Sequence, residues 1–127
     1  MYKKLLLLIA IGLFFSCKSE DKKEPLYPKA QSEKQTPEQL GLELFEGKGN
    51  CVACHQPDQK IIGPSLREIA KTYKDKNASI ANFLKGNEKP IVDPSQFEVM
   101  KTNFTITKQM SDEELNALET FIYSHLK

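Results

Sequence analysis

Tryptophan is absent from this chain of 127 residues, and histidine, cysteine and methionine are scarce, at two, three and three. Neither sign of charge is in excess: 18 basic side chains stand against 17 acidic ones, for a formal net charge of +1. That balance excludes a strongly basic nucleic-acid binder and an acidic-tail protein. No apolar run reaches the roughly 20 residues that a membrane-spanning helix requires. No internal repeat is present. The length allows one small domain, at roughly 100–200 residues per domain. Hydrophobic residues make up 39% of the chain, but many of them crowd into the first 16 positions. What remains is thin for a self-sufficient core in so small a domain. Something besides side chains is therefore expected to fill part of the interior, and the cysteines show where to look.

The first 16 residues are a leader. Lys3 and Lys4 form a positive start, and an apolar run from Leu5 to Phe15 follows, interrupted by Gly12. As a helix it would span about 16 Å at about 1.5 Å per residue, too short to cross a bilayer. The pattern is that of a secretory signal peptide over residues 1–16. Ser16 and Cys17 end the run, and the polar Lys18-Ser19-Glu20-Asp21 comes next. A cysteine at that junction resembles the lipid-attachment residue of bacterial lipoproteins. The resemblance implies lipidation of Cys17 and anchoring of an exported chain on the periplasmic face of a membrane. Two or more acyl chains would make that anchoring stable. The competing reading is an uncleaved anchor in which Cys17 is incidental.

Residues 17–35 are then a lipidated cysteine and a polar tether of mixed charge, without apolar periodicity. The punctuation from 36 to 127 is helical, and the class expected is all-α with long connections. Thr36-Pro37 starts a helix whose apolar stripe includes Leu40, Leu44 and Phe45, and which Gly47 and Gly49 end. A second helix runs from Pro64 or Ser65 to about Tyr73, and a third from near Asn77 to a stop at Gly86. Asp93-Pro94 opens a short helix carrying Phe97 and Met100. Ser111-Asp112-Glu113-Glu114 is a capping box for the last helix, with Met110 and Leu115 as its staple. A short strand is conceivable only at 104–107.

Chemistry concentrates in Cys51-Val52-Ala53-Cys54-His55. C-x-x-C-H is the signature of covalent c-type haem attachment. Two cysteines three positions apart in a helical turn project toward the two vinyl groups on one porphyrin edge. The adjacent histidine is then placed under the iron as proximal ligand. Other chemistries use the same residues. A Cys51–Cys54 disulfide suits an exported protein. A redox dithiol follows a strand in βαβ context, whereas a helix and a glycine turn precede this motif. Zinc needs a second ligand pair, and only Cys17 and His125 remain to supply one. Haem is the favoured reading.

Residues 36–127 resemble the class I cytochrome c family. Gly41 and Phe45 ahead of the motif look like that family's N-terminal helix, and Leu118, Phe121 and Ile122 like the face of its C-terminal helix. Gly63-Pro64-Ser65-Leu66 looks like the loop whose proline carbonyl accepts the proximal histidine N–H. The resemblance implies a small fold of about four to five helices around one covalent haem c, with the terminal helices crossing. It implies thioethers at Cys51 and Cys54, His55 as iron ligand, and Pro64 as the residue that orients it. The chain departs from better-known members in having no tryptophan near a haem propionate.

The family's sixth ligand is a methionine in the second half of the chain. Met100 is favoured, because it lies in the connecting segment ahead of the last helix, whereas Met110 has the staple position. His125 is too close to the C-terminus to be preferred. A thioether ligand suits an electron carrier rather than an oxygen binder. The expected function is that of a non-enzymatic, membrane-tethered carrier passing one electron at a time between respiratory oxidase, reductase or dehydrogenase partners. No nucleic acid or small-molecule substrate is expected. Lysines between Lys60 and Lys108 could form a docking patch, with a solvated face as the plainer explanation for most of them. The alternative function is a haem-based gas or peroxide sensor, or an accessory subunit of a redox enzyme, with a displaceable sixth ligand.

Overall fold

The structure is a computed structural model that describes residues 35–126. The leader, the lipidation candidate Cys17 and nearly all of the tether lie outside the described residues. Among the described residues, no helix is long and apolar enough to cross a membrane.

Six α-helices follow one another, and no strand is formed among the described residues. The first, α1 (Pro37–Glu46), begins on Thr36. The Gln39 N–H donates to Thr36 Oγ1 at 3.2 Å, and the Thr36 N–H donates to Gln39 Oε1 at 2.9 Å. Pro37 occupies the first turn, where its missing N–H costs nothing. The second helix, α2 (Leu66–Asp75), is capped by Ser65 and is followed by Asn77 at φ +50°. Asparagine tolerates that left-handed backbone better than most side chains do. It breaks the chain there, so α3 (Ile80–Leu84) starts on Ser79 rather than near Asn77. Gly86, at φ +79°, ends it as expected.

A 3₁₀ turn at Pro94–Gln96 leads into α4 (Phe97–Lys101). Residues 104–107 form α5 (Phe104–Thr107), not a strand. A lone strand would leave its backbone groups unpaired. The helical turn instead buries both Phe104 and Thr107, and the Thr107 hydroxyl donates to the Leu84 carbonyl at 2.7 Å. The last helix, α6 (Asp112–Ser124), has the expected capping box: the Glu114 N–H donates to Ser111 Oγ at 3.2 Å, and the Ser111 N–H to Glu114 Oε2 at 2.7 Å.

The all-α class holds, with six α-helices among the described residues where about four to five were expected. The first and last helices cross. A Cβ built at Gly41 would run into the Ala117 carbonyl oxygen and lie 2.6 Å from Phe121 Cβ, so the crossing needs glycine there. Phe45 and Phe121 pack beside that point with ring centroids 5.3 Å apart. Leu66, Ala70, Leu115 and Leu118 form the dry centre of the core.

Candidate cofactor site

Local backbone chemistry aims the cysteine motif. After α1, the Gly49 N–H donates to the Leu44 carbonyl at 2.7 Å, and Asn50 takes a left-handed conformation at φ +47°. A 3₁₀ turn at Cys51–Ala53 follows, and the N–H groups of Cys54 and His55 both donate to the Cys51 carbonyl at 3.0 Å. The turn brings Cys51, Cys54 and His55 to the wall of one cavity. The two thiols are not joined as a disulfide. Burial, with Cys54 close by, pushes the Cys51 thiol up to about 11.

His55 Nδ1 lies 2.8 Å from the Pro64 carbonyl oxygen. That oxygen can only accept, so Nδ1 carries the proton and Nε2 keeps its lone pair for a metal. Burial lowers the pKa of the imidazole, and the bond to Pro64 opposes that shift. Gly63 packs against the ring: a Cβ there would strike His55 Cε1 and lie 2.8 Å from Nδ1. The Gly63 N–H in turn donates to the Cys54 carbonyl at 2.8 Å. The Gly63-Pro64 pair thus grips the imidazole from one face and at one nitrogen.

The cavity has a volume of about 260 Å³. Its wall is mostly apolar, with Leu66 and Tyr73 from α2, Phe83 and Leu84 from α3, and Leu118 and Ile122 from α6. The half-exposed Met100 of α4 lines it as well. Met110 does not line it and is packed in the core at 6% exposure. His125 is also away from it; its Nδ1 donates to the Phe121 carbonyl at 3.0 Å and its ring meets Phe121 edge-on. Among the described residues, no three His, Cys, Asp or Glu side chains converge on a bare metal ion. Two thiols, one imidazole with a free Nε2 and one thioether around an apolar space form a donor set that fits a covalently held haem.

Several features around the cavity carried no sequence signal. The Asn103 side-chain amide donates to the Gly49 carbonyl at 3.0 Å, which ties the cavity wall after α4 to the turn before the cysteines. Phe83, Phe97 and Phe104 stack in a cluster with centroids 5.4–6.2 Å apart. Asp93 is the one carboxylate on the wall; Lys60 Nζ donates to it at 2.6 Å and holds it below the usual carboxylate range. None of these pairings has a fixed sequence spacing, so only the folded chain reveals them.

A family model described as Cytochrome c matches residues 38–125. The cytochrome c-552 of Nitrosomonas europaea is 48% identical over 42 residues, which are 33% of this chain and 40% of that protein. The match therefore spans less than half of that relative. The cytochrome c-551 of Pseudomonas denitrificans is 38% identical over 61 residues, 42% of this chain and 73% of that protein. The cytochrome c-551 of Azotobacter vinelandii is 41% identical over 46 residues, 36% of this chain and 54% of that protein.

Proposed function

We propose that this chain, which belongs to the cytochrome c family, is a lipid-tethered, exported one-electron carrier with His55 and Met100 as its axial ligands. Family membership brings one covalently bound haem c with iron. The group supplies a one-electron couple; the chain's own residues decide how it is held. Cys51 and Cys54 anchor it through their sulfurs. The Nδ1–H bond to Pro64 fixes the His55 ring and keeps it basic at Nε2. Met100 offers a soft thioether from the same wall, which favours the reduced state more than a second imidazole would. The mostly apolar lining limits how much water can rearrange when the charge changes.

The observation that carries this reading is the His55–Pro64 bond in a cavity that Cys51, Cys54 and Met100 also line. Ile62 and Val99 line the cavity too and are about half exposed, at 52% and 49%. Such a mouth suits the small, weak contacts of redox partners, for which respiratory oxidases, reductases and dehydrogenases are the proposed class. No chemistry beyond electron transfer is assigned to the site.

The test is spectroscopic. The native protein is expected to hold one haem per chain by pyridine haemochrome. It should show the near-infrared methionine-to-iron band and bind no carbon monoxide on mixing. Met100→Leu abolishes that band and Met110→Leu keeps it. Rapid carbon monoxide binding by the native protein would replace the carrier with the sensor reading. The tether is tested apart: labelled fatty acid enters the wild type and not Cys17→Ala, and equal labelling of the two would remove the lipid anchor.

A further inference from the structure

The stretch from Glu88 to Lys101 carries Met100, yet its polar bonds are nearly all local. Ser95 Oγ donates to Asp93 Oδ1 at 2.5 Å, the Gln96 N–H donates to the Asp93 carbonyl at 3.2 Å, and Lys101 pairs with Glu98. Among the described residues, one hydrogen bond joins it to a distant part of the chain: Lys60 Nζ to Asp93 Oδ2, at 2.6 Å. Its other attachments are apolar: Phe97 against Phe83 and Phe104, and Ile91, Val92 and Met100 against the core.

The two ends of that ion pair are unequal. Lys60 belongs to the loop 56–63 between His55 and Pro64, and its backbone pairs with that of His55 as an isolated antiparallel bridge. The loop is secured independently. The Leu66 N–H donates to the Gln56 carbonyl at 2.9 Å, Arg67 N–H to the Pro57 carbonyl at 3.1 Å, and Gly63 N–H to the Cys54 carbonyl at 2.8 Å. Asp93 lines the cavity, with its side chain 15% exposed, and directly precedes the 3₁₀ turn that enters α4. A rigid loop on the His55 side therefore grips the start of the helix that bears Met100.

We propose that the Lys60–Asp93 pair is a latch: two positioning residues that hold the Met100 segment against the His55 loop and set how often the Met100 sulfur releases the iron. The ligand part of this rests on Met100 being the sixth ligand; the latch itself rests on the ion pair and the lack of other polar ties. A pair with 15% exposure on one side and 56% on the other is partly screened by water, so its effect is modest.

The holoprotein is compared with Lys60→Gln, Asp93→Asn, the double variant and Lys60→Arg. Two rates are read: amide hydrogen exchange over residues 91–101, and the limiting rate at which saturating imidazole binds the ferric protein, which reports release of the sixth ligand. Each single variant is expected to raise both rates about two- to fivefold, the scale of a partly shielded ion pair. The double variant should go no further than either single, since both remove one interaction. Lys60→Arg, which keeps the cation, should stay near the wild type. Unchanged rates in both singles, or a double equal to the product of the singles, would overturn the latch. If Met100→Leu keeps the near-infrared band, the ligand reading fails by itself. The exchange rates then decide the latch alone, and unchanged exchange rejects it.

Discussion

At the scale of single residues, the site depends on what touches His55. The bond from Nδ1 goes to a backbone oxygen, so the identity of residue 64 is not what makes it. Pro64→Ala keeps the acceptor and loses mainly the stiffness of the loop. It is expected to destabilise the holoprotein by about 0.4–1 kcal/mol through the unfolded chain, with haem content unchanged. Gly63→Ala is the harsher change, although it adds one methyl group. The new Cβ would overlap the His55 ring, and overpacking of that kind costs about 1–3 kcal/mol. Thermal denaturation and haem per chain should both fall in Gly63→Ala and separate it from Pro64→Ala. The cysteine motif and Gly63-Pro64 are readable as strings because the chemistry needs them adjacent in sequence. Asp93, Lys60 and Asn103 are not, because their partners lie 33 and 54 residues away along the chain.

At the scale of elements, caps and stops were legible and lengths were less so. Thr36, Ser65 and Ser111 each receive a backbone N–H as N-cap residues, since capping is settled within four residues. The start of α3 is different. The Ile80 N–H donates to Glu119 Oε1 at 3.0 Å, so a carboxylate from α6 helps to satisfy that helix end, and local sequence could not show it. The strand considered at 104–107 failed for a related reason: β-branched residues favour a strand only when a neighbouring strand exists to pair with them. The crossing of α1 and α6 gives a sharp test. Gly41→Ala forces a Cβ into the Ala117 carbonyl and should cost about 1–3 kcal/mol by chemical denaturation followed by circular dichroism. Leu42→Ala on the exposed side of the same helix should stay within about 0.5 kcal/mol.

At the scale of the whole molecule, the helices surround a space that their side chains do not fill. The apolar wall of that space, which includes Leu66, Phe83, Leu84 and Leu118, is left facing water when no haem is attached, and in so small a domain that area is a large part of the core. Haem-free Cys51→Ala/Cys54→Ala protein is therefore expected to be largely unfolded by far-ultraviolet circular dichroism, and a cooperative thermal transition in it would contradict this. Acid should also weaken the holoprotein. Lys48 beside Glu114 and Lys60 beside Asp93 hold both carboxyls below their ordinary values of 4.5 and 3.8. A depressed folded-state pKa means stability that is fully present above the ordinary value and is lost as pH falls through the lowered one. Thermal midpoints should hold near neutrality and drop below about pH 4.5, with a shallower drop in Glu114→Gln, where the glutamine still caps α6. The sequence by itself determined the haem motif, the helical class, the helix starts at Thr36, Ser65 and Ser111, and the thin core, because each depends on neighbours within a few positions or on composition alone. Only the tertiary structure decided which methionine lines the cavity, that Lys60 meets Asp93, and that Gly41 and Gly63 must lack a side chain. Those follow from packing between residues far apart in the chain, where distance in space is set by the fold and not by spacing in the sequence.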